Sequence, residues 1–231
     1  MTISEIKAKQ ISDSLLCGMI LSMAGGCMDA YSYLFRDHVF ANAQTGNILL
    51  FGVNLVKGDI QGALKYLLPV AAFAAGIAAA DWIHYKVKEK KLRWHQIAAI
   101  LEAVILAAVA FIPTELNGIA NALTSLGCGM QLETFRRISG SHIPTTMCIG
   151  NLRTSVNYLD LYLATGDKHQ LQKAGLYALI IVAFMAGAVI ESILIPILGS
   201  YAILLCSLIL IIAFVLLFTS GTDMKADEGE A

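Results

Sequence analysis

The chain has 231 residues, of which 57% are hydrophobic and 14% are charged, and its mean hydropathy is +0.69. Soluble domains carry roughly 25% charged residues, so this composition excludes an ordinary soluble domain and indicates a polytopic membrane protein. The formal net charge of −1 says little, because the placement of cations matters more than their sum in such proteins.

Six apolar segments are long enough to cross a bilayer, which takes about 20 residues. In chain order they cover residues 13–34, 63–85, 96–112, 118–138, 173–195 and 200–218. Two further segments, 45–56 and 150–164, are shorter or more polar. The expected fold is therefore all-α, with six transmembrane helices and two short re-entrant helices.

The first apolar segment has no small-residue cleavage pattern after it, so it is interpreted as a retained signal anchor. The five cysteines lie scattered in or beside apolar segments without a CxxC pair. This spacing supports neither a metal site nor a disulfide, and no cofactor is expected. The tail 219–231 is acidic and is predicted to be disordered.

An internal repeat emerges when the chain is shifted against itself by about 104 positions. Without a gap, Gly25 then aligns with Gly129, Asp29 with Glu133, and Asn47 with Asn151. Both short helices also end in a Gly-Asp pair, at 58–59 and 166–167. The predicted repeats are residues 1–113 and 114–231, each with three spans and one half-helix.

The distribution of Lys and Arg tests this arrangement. If all eight helices crossed the membrane, the cations would divide seven to eight between the two sides. If both short helices are re-entrant, twelve lie on the side of the N-terminus and three on the other, as the positive-inside rule prefers. The sequence thus predicts inverted repeats in a bacterial inner membrane, with both termini cytoplasmic.

The starts of the two half-helices are unusually polar for a membrane protein. A helix start carries unpaired N–H groups and a partial positive charge, which suits an anion or a carboxylate. Two such starts meeting near the bilayer midplane would form a solute site. The candidate substrate-binding residues are Asn42, Gln44, Thr45, Gly46, Asn47, Thr145, Thr146, Gly150, Asn151 and Arg153. The alternative is that Thr45 and Asn47 only cap the helix.

One acid lies in the first span of each half, Asp29 in the first half and Glu133 in the second. Ionisable residues inside spans are costly and are often functional, so both are candidates for binding a coupling proton. The alternative is a structural hydrogen bond to a neighbouring helix. Arg153, one turn into the second short helix, favours an anionic substrate, although it could also pair with Glu133.

The stretches GGCMDAYSYL and FANAQTGNILLFG resemble the YoaK-like family of bacterial membrane proteins of unassigned function. The resemblance is specific over residues 25–52 and more diffuse elsewhere. It marks Gly26, Asp29, Ala30 and the Thr45-Gly46-Asn47 run as family-type positions. The second half departs from this pattern at Glu133 and Ile149.

We therefore expect a secondary transporter of a small polar, anionic solute, with proton coupling through Asp29 or Glu133. A passive channel is the alternative, because paired half-helices also build pores, and a structural or regulatory membrane protein is a second one. No catalytic motif occurs in the spans, so an enzyme is not expected. The expected partners are the lipid bilayer and a small molecule or ion, not a nucleic acid, and a homodimer is compatible with the sequence.

Overall fold

Eight α-helices occur in the part of the chain described by this computed structural model, residues 3–86, 94–135 and 147–219. They are α1 (Ile3–Phe35), α2 (Gln44–Val56), α3 (Ile60–Lys86), α4 (Trp94–Val109), α5 (Asn117–Thr134), α6 (Cys148–Thr165), α7 (Lys168–Leu198) and α8 (Leu204–Thr219). Short 3-10 helices precede α5, at Thr114–Leu116, and α8, at Gly199–Ile203.

Three helical stretches within the described residues are long and apolar enough to cross a membrane, namely Leu15–Phe35, Ile60–Lys86 and Lys168–Leu216. The last of these contains both α7 and α8. A shorter apolar helix covers Ile97–Val109. The protein is therefore an all-helical membrane protein. Helix α5 is not among these spans because its buried face is rich in Asn, Thr, Ser and Gln.

The helices of the two chain halves pack in a matched pattern. Helix α1 packs on α7, and α3 packs on α5 in the same way. The short helix α2 packs on α3, and the short helix α6 packs on α7. Helix α4 packs on α8. The α1–α7 and α3–α5 pairs approach closely at glycines. Gly26 in α1 leaves room only for the backbone of Phe184, and Gly129 in α5 leaves room only for the backbone of Phe73.

This packing corrects the gapless alignment of the two halves by one residue. Gly26, not Gly25, occupies the position that Gly129 occupies in α5. Asp29 then corresponds to Leu132, and Glu133 corresponds to Ala30. The alignment of Asn47 with Asn151 is retained, because both are fully buried early in a short helix. One extra residue between the first span and the short helix accounts for the difference.

The helix ends define two ends of the bundle. At one, here called the Arg36 end, Arg36 donates to the carbonyl oxygens of Val109 (3.2 Å) and Ile112 (2.8 Å), so α1 and α4 finish together. Helix α5 begins there, since the Asn117 side chain accepts from Arg36 at 2.9 Å. Helix α7 also ends there, since the Ser200 carbonyl accepts from the Tyr31 hydroxyl at 3.1 Å.

Helix α3 begins at the Arg36 end, because Tyr66 lies within electrostatic range of Asp37. It runs to Lys86 at the opposite end of the bundle, here called the Lys86 end. Since α4 and α7 both finish at the Arg36 end, both start at the Lys86 end. Helix α8 packs against α4 and starts beside the end of α7, so it runs in the opposite direction to α4.

Arg36 is one of the largest fully buried side chains in the described part of the chain. Arg36 is one of the three cations that the predicted topology places on the side opposite the N-terminus, and the structure buries its side chain inside the bundle. Its guanidinium also donates to the Tyr31 hydroxyl at 3.0 Å and to the Pro113 carbonyl at 3.3 Å. Since carbonyl oxygens at the end of a helix lack partners within it, Arg36 supplies donors for the last turn of α4.

Candidate functional site

The segment between α1 and α2 folds back along α1. The Asn42 N–H donates to the Asp29 carboxylate at 2.7 Å, and the Asn42 side chain donates to the Gly25 carbonyl at 3.1 Å. Gly25 lies roughly 16 Å along α1 from Arg36, at about 1.5 Å per residue. Helix α2 therefore begins about halfway along the first span.

The Asp29 carboxylate faces the backbone N–H groups of residues 41–43. These groups immediately precede α2, whose first residue is Gln44. A helix start attracts an anion, and here a side chain of the protein provides that anion. The hydrogen bond of Asp29 thus goes to the segment that leads into α2, and not to a neighbouring helix.

Asp29 is also partly exposed, although it lies well inside the first span. Asn42, Gln44 and Gly46 around it are partly exposed as well, and Thr45 is exposed. A polar region with access to the molecular surface therefore extends to the α2 entrance. Polar backbone at this depth is tolerated only where protein or a water-filled cavity satisfies its groups.

Asn47 holds the entrance loop in place. Its side-chain oxygen accepts from the Phe40 N–H at 3.1 Å, and its amide donates to the Phe40 carbonyl at 2.7 Å and to Gln44 Oε1 at 2.8 Å. Gln44 in turn donates to the Ala41 carbonyl at 2.7 Å and approaches the Ser125 hydroxyl at 3.5 Å. These two predicted site residues therefore shape the site through the loop backbone.

The interpretation of Thr45 and Asn47 as helix caps is wrong. The N-cap position is Ala43, with no side-chain hydrogen bond, and Asn47 lies a full turn inside the helix. Gly46 has a local packing reason, because a Cβ there would meet the Phe40 ring at 2.8 Å. Glycine at this position therefore has a packing reason that does not depend on a ligand.

The α6 entrance begins at Cys148, after the N-cap residue Met147, which makes no side-chain cap. Gly150 is partly exposed, Asn151 is fully buried, and Arg153 is exposed. The predicted site residues Thr145 and Thr146 lie outside the described residues. The carboxylate within electrostatic range of the Cys148 thiol is that of Asp29. One carboxylate thus lies near the starts of both short helices.

The second predicted proton acceptor, Glu133, is buried near the end of α5. Because the packing aligns it with Ala30, it is not the counterpart of Asp29. Two other intramembrane acids, Glu102 in α4 and Glu191 in α7, are almost completely buried. Glu102 lies against Gly127 and within electrostatic range of Cys128 of α5.

The structure adds Cys128 and Ser125 of α5 to the site. Cys128 lies within electrostatic range of Asp29 and beside the Asn42 side chain. No sequence signal identified either residue, since they are small and lie in a helix far from both entrances in sequence. Together, the surroundings of Asp29 offer a carboxylate, backbone N–H groups, hydroxyls, amides and thiols. This set can exchange a proton and bind a small polar group.

The fold and the site define a polytopic helical membrane protein with a polar site inside the bundle. The family described as "Protein of unknown function (DUF1275)" matches residues 17–216, and the chain belongs to this family. The UPF0700 transmembrane protein YoaK of Bacillus subtilis (strain 168) is 27% identical over 195 residues, which cover 79% of this chain and 82% of the relative. This similarity confirms the expected YoaK-like family. No solved structure matches the chain.

Proposed function

We propose that this protein is a secondary transporter of a small polar, anionic solute, which binds at the starts of α2 and α6 and moves together with a proton carried by Asp29. The observation that carries the proposal is the position of Asp29. Its carboxylate contacts the N–H groups that precede α2, lies within electrostatic range of Cys148 at the start of α6, and is partly exposed.

The coupling follows from competition for the same donors. The ionised Asp29 carboxylate occupies the N–H groups at the α2 entrance, which an anionic solute also needs. Protonation removes the negative charge of Asp29 and weakens its hold on these groups. The solute anion then replaces it, and one proton and one negative charge bind together. Release of the proton restores the Asp29 contact and displaces the solute.

The arrangement of the short helices supports this mechanism. The chain leaves α1 at the Arg36 end, returns to Gly25, and α2 then leads to α3, which starts at the Arg36 end. We infer that α2 is re-entrant from the Arg36 end. In the same way, α6 starts near Asp29 and leads into α7 at the Lys86 end. We infer that it enters from that side.

The two halves would then be inverted repeats with six full spans in total. The matched packing of α1 with α7 and of α3 with α5 supports this, as does the opposite direction of α4 and α8. Transporters of this plan bind substrate where broken helices meet and change access by rocking one part against the other. Under the positive-inside rule, the Lys86 end and both termini would be cytoplasmic, in the inner membrane of a bacterium.

The other predicted site residues have distinct roles in this proposal. Asn42, Gln44 and Asn47 position the α2 entrance, while Thr45, Gly150 and Asn151 lie around the solute. Arg153 would attract the anion toward the α6 side. Glu133 is a second proton acceptor, at the end of α5. No catalytic or cofactor chemistry is part of the proposal.

The test uses purified protein in liposomes loaded with a pH-sensitive dye. Pools of monocarboxylates, dicarboxylates, amino acids and inorganic phosphate are added outside under an imposed pH gradient. We expect saturable, solute-dependent proton movement in the wild type and its loss in Asp29→Asn. The control Asp37→Asn removes an exposed acid from the turn that follows α1 and should transport normally.

Three results would contradict the proposal. Rapid solute flux that is indifferent to the pH gradient would indicate a channel instead. Equal proton movement in the wild type and in Asp29→Asn would remove Asp29 from the mechanism. If no pool causes any flux while Asp29→Asn still lowers thermal stability, the residue serves only structure or assembly.

A further inference from the structure

A second cluster of reactive side chains lies where α1, α7 and α8 meet. It consists of Cys27, Glu191 and Cys206, whose potential ligand atoms all lie within 4.8 Å of one another. All three residues are fully buried, each with 0% exposure. The cluster lies on a different side of α1 from Asp29, because Cys27 and Asp29 project about 200° apart around this helix, at roughly 100° per residue.

Glu191 is the feature that requires an explanation. Both of its carboxylate oxygens are buried, and neither has a hydrogen-bond donor within the described part of the chain. An isolated ionised carboxylate in an apolar interior is costly unless it is paired, coordinates a metal or takes up a proton. The nearby Cys27 thiol donates to the Gly187 carbonyl at 3.3 Å, not to Glu191.

Arg36 is the buried cation nearest to Glu191 in the hydrogen-bond network, but it does not pair with this carboxylate. Arg36 directs its donors to Tyr31, Asn117 and backbone carbonyls. Tyr31 lies within electrostatic range of Glu191, but its hydroxyl donates to the Ser200 carbonyl at 3.1 Å. A partner for the ionised Glu191 carboxylate therefore has to come from outside these side chains.

The donor set identifies the kind of partner. Thiolates bind soft or borderline ions such as Zn²⁺ and Cu⁺, whereas Mg²⁺ and Ca²⁺ prefer oxygen ligands. Three protein ligands are enough for a zinc site that retains one other ligand. We propose that Cys27, Glu191 and Cys206 form a binding site for a thiolate-preferring metal ion, either Zn²⁺ or Cu⁺, that joins α1, α7 and α8.

The cluster is not duplicated in the other half of the chain. At the positions that pack alike, the other half has Met130 in place of Cys27 and Ala80 in place of Glu191. We therefore expect one ion per chain. The spacing of the cysteines does not predict this site, because its ligands come from three helices that are far apart in the chain.

The test measures metal binding directly. The full-length protein is purified in detergent under reducing conditions, stripped with a chelator, and titrated with Zn²⁺ alone or Cu⁺ alone against a chromogenic competitor. Co²⁺ serves as a spectroscopic probe, because thiolate ligands give it a charge-transfer band. We expect one ion per chain, and we expect the chelator to lower the thermal unfolding midpoint of the wild type.

Variants then assign the ligands. We expect Cys206→Ser to weaken binding at least about 100-fold, since even the loss of an outer-shell partner costs 10–100-fold, and to remove the charge-transfer band. Glu191→Gln should weaken binding and make the unfolding midpoint insensitive to the chelator. It keeps the side-chain volume and removes an unpaired buried charge, so this variant should fold. Cys148→Ser and Glu102→Gln are matched controls that should bind like the wild type.

Three results would overturn the inference. The first is that neither Zn²⁺ nor Cu⁺ binds the wild type. The second is that either ion binds Glu191→Gln and Cys206→Ser as tightly as it binds the wild type. The third is a Cys27–Cys206 disulfide found by mass spectrometry in protein purified without reductant, together with no metal uptake after reduction. Preferential binding of Zn²⁺ or of Cu⁺ would support the site and identify its ion.

Discussion

The two short helices are packed alike but begin differently. Helix α2 packs on α3 and α6 packs on α7, and each ends at a glycine with nearly the same left-handed backbone, φ +73° at Gly58 and +72° at Gly166. The α2 entrance is held by a polar network around Asp29, whereas the α6 entrance starts at Cys148 and relies on the same Asp29 for a nearby anion. The two short helices thus share their packing but differ in the polar groups at their starts, and one acid lies near both starts.

The largest expected effect tests the close glycine contacts that the α1–α7 and α3–α5 pairs have in common. Gly26→Ala and Gly129→Ala would each push a Cβ into the backbone of the facing helix, at Phe184 and Phe73. Because the obstacle is backbone, each substitution should cost about 4 kcal/mol or more, beyond ordinary overpacking. Little monodisperse protein should elute in size-exclusion chromatography. Gly175→Ala is the control, because nothing lies within 4 Å of the added carbon. If Gly129→Ala alone behaved normally, Gly26 and Gly129 would not be equivalent positions.

The second prediction concerns the Arg36 end. Arg36→Met should lower the unfolding free energy by about 3 kcal/mol, because several buried acceptors, including the Val109 and Ile112 carbonyls, lose their donor. Thermal unfolding in detergent measures the change. Lys57→Met, an exposed cation beyond α2, should change little. Equal stability of the two variants would show that Arg36 does not anchor α4.

The third prediction isolates the α2 entrance. Asn47→Ala should cost about 2 kcal/mol, because the partly buried Phe40 N–H and carbonyl both lose a partner. Asn54→Ala is the matched control on the same helix, since its side chain donates only to the Leu50 carbonyl of its own helix. Hydrogen exchange of residues 40–43 should accelerate in Asn47→Ala. Unchanged exchange would mean that the loop is held by other contacts.

The fourth prediction sharpens the likeness of the two helix ends. Gly58→Ala and Gly166→Ala should each cost about 1 kcal/mol, because a left-handed backbone is unfavourable for a residue with a Cβ, and nothing crowds either position. The two losses should agree within the error of thermal unfolding. A much larger loss at one position would indicate that its turn has a further role.

The smallest effect concerns the turn after α6. The Asp167 carboxylate accepts from the His169 N–H at 2.9 Å and caps α7, and this backbone hydrogen bond lowers the pKa of Asp167. A lowered pKa stabilises the fold above the ordinary Asp value of about 3.9, and this contribution is lost as the pH falls through the lower value in the folded protein. The difference in unfolding midpoint between wild type and Asp167→Asn should therefore shrink at acidic pH. A difference that is constant with pH would contradict this role.

The sequence predicted the helices and both Gly-Asp ends, because these depend on local hydropathy and on a backbone shape that favours glycine. It missed the one-residue shift between the halves, because Gly25 and Gly26 are adjacent and only packing distinguishes them. It also missed Arg36 and Glu191. Their surroundings come from helices distant in sequence, and composition cannot show whether an arginine near the end of a span turns inward.

The pairing of helices across the two halves has a consequence for biogenesis. Since α1 packs on α7 and α3 on α5, the first four helices emerge from the ribosome before most of their packing partners exist. Neither half alone can complete the core, so assembly has to wait for the later helices. Such long-range contacts slow folding. The polar face of α5, with Asn121, Ser125 and Gln131, then enters the membrane next to helices that have been inserted earlier.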